Sequence, residues 1–99
     1  MEINLHKIEE MKISEFANKH GLVMEVNERG LPVGHPLRFY ACFAHTEVKD
    51  GCILIGTYGN GDCPEQAINN YAKEIQFQTI VVNARSQNRR EITVPRLTA

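Results

Sequence analysis

From Glu65 to Ile75 the apolar residues Ala67, Ile68, Tyr71, Ala72 and Ile75 recur at helical intervals, with Gln66, Asn69, Asn70, Lys73 and Glu74 between them. A repeat of about 3.6 residues gathers the first set on one face and the second on the opposite face. Pro64, in the first turn, suits a helix start, and Asp62-x-x-Glu65 has the form of a capping box. A helix wet on one side and apolar on the other needs a surface to cover, so the rest of the chain must supply a sheet or a second helix.

The other segments supply both. Lys12 to His20 carries Ile13, Phe16 and Ala17 at helical spacing, and Gly21 stands where a helix stops. Leu22 to Asn27 and Leu37 to Thr46 alternate as strands do, the latter with Phe39, Ala41 and Phe43 on one side and Arg38, Tyr40 and Cys42 on the other. The two prolines and two glycines of residues 30 to 36 predict an irregular connection between them. Lys49-Asp50-Gly51 predicts a hairpin turn and Cys52 to Tyr58 a returning strand, broken by Gly59-Asn60-Gly61. Phe77 to Asn83 and Glu91 to Val94 read as two more strands, the second ended by Pro95, with a polar loop over Arg85 to Arg90 between them. The expected fold is α+β: a three-stranded antiparallel sheet covered on one face by two helices. Residues 1 to 11 form an N-terminal extension, 12 to 76 the domain, and 77 to 99 a C-terminal hairpin or arm. The expected core is Phe16, Val26, Phe39, Phe43, Ile55, Ala67, Ile68, Tyr71 and Ile75.

A chain of 99 residues encloses one core with little left for a large catalytic cleft. No apolar run reaches the roughly 20 residues that span a bilayer, and the N-terminus lacks the apolar stretch of a secretory signal, so a cytosolic, non-membrane protein is expected. Three cysteines, Cys42, Cys52 and Cys63, with no Cys-x-x-Cys pair, predict neither a disulfide framework nor a zinc knuckle. Charge is uneven. Residues 1 to 84 hold seven Lys/Arg against eleven Asp/Glu, a net of −4, whereas residues 85 to 99 hold four Arg against Glu91, a net of +3. An acidic body is unlike the basic face that most nucleic-acid binders present.

The order helix, three strands, helix over residues 12 to 76 resembles the double-stranded RNA-binding domain. Ile13-Ser14-Glu15-Phe16-Ala17 with Lys19-His20-Gly21-Leu22 is similar to that family's first helix, His35-x-x-x-Phe39 to its link between the first two strands, and Gly59-x-Gly61 with Ala67 and Ala72 to its passage from third strand to second helix. The resemblance implies that Glu15 faces an RNA minor groove and that His35 touches the duplex. It also implies two lysines at the start of the second helix, gripping phosphate. Pro64 and Glu65 stand there instead, so the fold pattern is kept and the phosphate grip is lost. The segment from Gly59 to Ile68 also resembles the turn and helix start of HicB-type antitoxins.

No catalytic constellation is legible, and neither cofactor nor metal is expected. Gly56, Gly59 and Gly61 lack the Lys-Ser/Thr of a phosphate loop, and the His35, His45 and cysteine spacings fit no structural zinc pattern. His35 either touches a groove or fixes its loop through a backbone hydrogen bond. Arg85, Arg89 and Arg90 either meet an acidic partner or groove, or guard an edge strand as solvated charge. Tyr40 and Tyr58, if both face away from the helices, form an aromatic contact patch. The expected function is that of a non-catalytic regulator or inhibitor, of the kind phages and mobile elements encode, acting on a protein or protein complex. The alternatives are a binder of structured nucleic acid, using Glu15, His35 and the C-terminal arginines, and a HicB-like antitoxin. Oligomeric state stays open, a homodimer included.

Overall fold

The structure is a computed structural model and describes residues 10 to 98. The described residues form an α+β fold of two helices and nine short strands. Helix α1 spans Ile13–His20 and buries Ile13 and Phe16. It ends at Gly21, whose φ of 65° is left-handed, and the Leu22 N–H donates to the Ala17 carbonyl at 2.8 Å. Helix α2 spans Pro64–Ile75 and buries Ala67, Tyr71, Ala72 and Ile75. Its start differs from the expected capping box. Cys63, one residue after Asp62, is the N-cap and makes no side-chain bond. The third helical position is then Gln66 and not Glu65, and Gln66 Oε1 accepts the Asp62 N–H at 2.8 Å.

Strands β1 (Glu10–Lys12) and β9 (Arg96–Thr98) pair in parallel. Strands β2 (Met24–Glu28), β3 (Phe39–Phe43) and β6 (Gly59–Gly61) form an antiparallel sheet in the order β2-β3-β6. A second antiparallel sheet runs β5-β4-β7-β8, built from β4 (Thr46–Asp50), β5 (Ile53–Ile55), β7 (Thr79–Val82) and β8 (Arg90–Thr93). The expected second strand is thus two strands, β3 and β4, separated at Ala44-His45, where His45 takes a left-handed φ of 56°. The expected third strand is likewise split. β5 ends at Ile55, and Gly59–Gly61, read from sequence as the break, is itself β6. The hairpin turn lies at Gly51-Cys52, with Asp50 paired to Ile53 and Gly51 at φ 61°, the positive value that a type II′ turn needs first.

Gly59 and Gly61 are glycines because α2 rests directly on β6. A Cβ on Gly59 would meet the backbone of Tyr71 and Ala67, and one on Gly61 the Ala67 nitrogen at 2.5 Å. The core joins both sheets: Phe16, Ala41, Phe43, Ala67, Tyr71 and Ile75 form one cluster with Val48, Ile80, Val94 and Leu97. Phe43 lies between Phe16 and Tyr71, with ring centroids 6.2 and 5.4 Å away. Of the expected core, Phe16, Phe43, Ala67, Tyr71 and Ile75 are buried, and Val26, Phe39 and Ile68 pack against it half-buried. Ile55 is 44% exposed, because β5 is an outer strand with no neighbour on its far side among the described residues. The described residues beyond 76 help build the core, since Ile80, Val81, Val82, Val94 and Leu97 are all buried. Of the expected N-terminal extension, residues 1 to 9 lie outside the described residues, and Glu10 and Met11 belong to β1. No helix of the described residues is long and apolar enough to cross a membrane.

Candidate protein-binding face

Pleating divides the β2-β3-β6 sheet. Met24, Val26 and Glu28 pair with Phe43, Ala41 and Phe39 on the side of the helices, so Glu25, Asn27, Tyr40, Cys42 and Asn60 are turned to the outer face. Tyr58, just before β6, meets Tyr40 there edge to face, with ring centroids 5.6 Å apart, and is 49% exposed. Arg29 covers the other side of this pair, its guanidinium carbon 4.3 Å from the Tyr40 ring centroid. Its Nη1 donates to the Leu37 carbonyl at 2.8 Å and to Asn60 Oδ1 at 2.7 Å. Asn60 is held in turn by α2, since its carbonyl accepts from Asn70 Nδ2 at 2.6 Å. The pair, Tyr58 exposed and Tyr40 half-buried, is therefore held at Tyr40 by a cation that spans the loop, the sheet and, through Asn60, a helix.

Beside this pair the sheet opens. β3 breaks from β4 at His45, β5 from β6 at Gly56 to Tyr58, and β7 ends at Asn83, which has a left-handed φ of 55° and donates its N–H to the His45 carbonyl at 2.9 Å. With three neighbouring strands interrupted, a groove of about 680 Å3 forms between the sheets, lined among others by Glu25, Cys42, His45, Glu47, Tyr58 and Arg85. Burial first, and then the neighbouring Glu25 carboxylate, push the Cys42 thiol above its ordinary range. Among the described residues no three His, Cys, Asp or Glu side chains gather as a metal site.

The sequence-nominated residues fall at several places. Tyr40 and Tyr58 are in contact, and Tyr58 and Arg85 line the same groove. Glu15 is exposed on α1. His35 is engaged inside its own loop: its N–H donates to the Pro32 carbonyl and its Nδ1 accepts the Leu37 N–H at 3.1 Å. The three C-terminal arginines diverge. Arg89 pairs with Glu91 at 3.3 Å, and the hydrogen bond and charge of Lys49, with Arg89 adding to them, hold the Glu91 carboxyl below its ordinary range. Arg90 donates to the His20 carbonyl at the end of α1 at 2.8 Å. Sequence reading missed Arg29, which stood in a turn with nothing to link it to Tyr40. It also missed Glu25 and Glu47, although the alternation around Val26 does predict the outward position of Glu25.

No protein-family model, characterised protein or solved structure matches the chain.

Proposed function

We propose that this chain is a small non-catalytic binding protein, a regulator or inhibitor that acts by docking on another protein through the outer face of β2-β3-β6. The observation that carries this reading is the Tyr40–Tyr58 pair, with Tyr58 exposed and half-buried Tyr40 held by Arg29, beside a groove that holds Glu25 and Glu47. Rigid aromatics ordered in advance lose little entropy on binding and are the side chains that dominate protein contacts. The order α1, β2, β3, β6, α2 supports a degenerate double-stranded RNA-binding-type ancestry, with the β4–β5 hairpin inserted between its second and third strands. Glu65, exposed in the first turn of α2, stabilises that helix by roughly 0.3 to 1 kcal/mol while repelling phosphate.

Two measurements test the reading. A duplex RNA and a duplex DNA, titrated at low and at physiological salt, are expected to show no binding, and replacing Pro64 and Glu65 by Lys is expected to raise duplex affinity. Capture of a host protein by the wild-type chain should weaken by about tenfold or more in Tyr58→Ala. Tight duplex binding that collapses with salt would instead establish the nucleic-acid alternative.

A further inference from the structure

Strand β5 ends the four-stranded sheet, and its open edge differs from the others. Among the described strands at sheet edges, β1, β2, β8 and β9 all carry charged side chains, and β6 carries no large apolar one. β5 is Ile53-Leu54-Ile55, with no charge, no proline and two isoleucines that are 65% and 44% exposed. Charges on an edge are the usual device against strand-to-strand association, and this edge lacks it.

The apolar surface there is continuous with the core. Ile92, Ile80, Val48 and Ile55 are register neighbours across β8, β7, β4 and β5 and share one face of the sheet. Ile80 is fully buried and Val48 is 8% exposed, so the row runs from the interior out to the rim and stops at Ile55. The main chain is also unfinished. In a hairpin with two loop residues the flanking pair, Asp50 and Ile53, is hydrogen-bonded, and the ladder then alternates. The N–H and C=O of Leu54 consequently point away from β4, toward the open side.

We infer that β5 is a self-association edge whose occupant is β5 of a second copy, paired antiparallel about a two-fold axis at Leu54. That register sets Leu54 opposite Leu54 of the other copy and Ile53 opposite its Ile55. The two Leu54 residues exchange main-chain hydrogen bonds, and four isoleucines lie side by side on one face. Charge selects this pairing over the others. Set against β8, the isoleucines would lie opposite Arg90 in one register and Glu91 in the other, and set against β2, opposite Glu25 or Glu28 in two of the three registers. Set on itself, β5 meets no charge and matches isoleucine with isoleucine, and an isologous contact closes as a dimer where β5 on β8 would grow into an open filament. The assembly is a continuous eight-stranded sheet. With two isoleucines from each copy it belongs to the small, concentration-dependent class of interface.

Sedimentation velocity from about 10 μM to about 1 mM, the range in which small interfaces assemble, is expected to show mass rising from monomer toward dimer. In Ile53→Lys/Ile55→Lys the dissociation constant should rise at least tenfold with an unchanged circular dichroism spectrum. Should that variant misfold, a second arm decides. Leu54→Cys, made in a Cys52→Ser/Cys63→Ser background and oxidised in air with copper, should form a covalent dimer, and Ser86→Cys in the same background should not. A chain that stays monomeric through that range and does not cross-link at position 54 overturns the inference. So does a dimer that forms equally well with the paired lysines, or one that cross-links equally at position 86. These readouts involve no docking partner, so they stand or fall apart from the proposed binding face.

Discussion

The Tyr71 side chain lies among Phe43, Ala41 and Ile75 with 1% of its surface exposed. Burial pushes its hydroxyl pKa up to about 12, against an opposing main-chain hydrogen bond at Phe43. Since an unfolded tyrosine ionises near 10, the folded state favours the neutral phenol. The resulting stability is fully present below about pH 10 and drains away as pH rises through the folded value near 12, by about 3 kcal/mol in all. Urea midpoints measured from pH 8 to 11.5 should fall steeply above pH 10, and Tyr71→Phe should flatten that fall. An identical profile in the variant would mean that another group controls alkaline unfolding. Glu91 differs in kind, because its lowered pKa arises on an open surface from Lys49 and Arg89 and not from burial.

Elements meet most tightly where α2 crosses β6. Three residues, Gly59-Asn60-Gly61, accept a helix at backbone distance because two of them lack a Cβ, and the one side chain among them turns outward to Arg29. Gly59→Ala should therefore cost about 3 kcal/mol or more in chemical denaturation, since the atoms in its way are backbone and cannot yield. Gly56→Ala is the internal control. Its Cβ would meet only Tyr58 Oη at 3.8 Å, so a change within about 0.5 kcal/mol is expected. This contact also explains why the glycine run misleads at sequence level. Glycine is a strand breaker by propensity, yet here a neighbouring helix selects it within a strand. The breaks fall at His45, Gly56 to Tyr58 and Asn83 instead, and together they make the groove.

At the scale of the whole molecule, the two sheets depend on the final strands. Val94 and Leu97 are 1% and 5% exposed, and β8 and β9 give β7 and β1 their partners. Each such buried side chain contributes about 1.5 to 3 kcal/mol, against a net stability of about 5 to 15 kcal/mol for a typical domain. A chain truncated after Arg89 should lose its sharp urea transition and its near-ultraviolet dichroism. If it unfolded as cooperatively as the full chain, the segment from β8 onward would be an appendage and not part of the core.

The local elements were open to reading because their signals are local. The stripe from Ala67 to Ile75, the alternation from Phe39 to Phe43 and the hairpin turn that begins at Gly51 each follow from a repeat or a backbone preference contained within a few residues. The α+β class, both helices and the outward turn of Tyr40 come from these. Other features required the folded chain. The β1–β9 pairing joins three-residue strands more than eighty positions apart, and no local period marks either one. Arg29 reaches Asn60 across 31 positions, and Arg90 reaches the end of α1 across 70. Local periodicity decides which face of an element is apolar. The long-range meeting of those faces decides which strand stays at an edge, which glycine lies beneath a helix, and which charged side chain stands beside an aromatic ring.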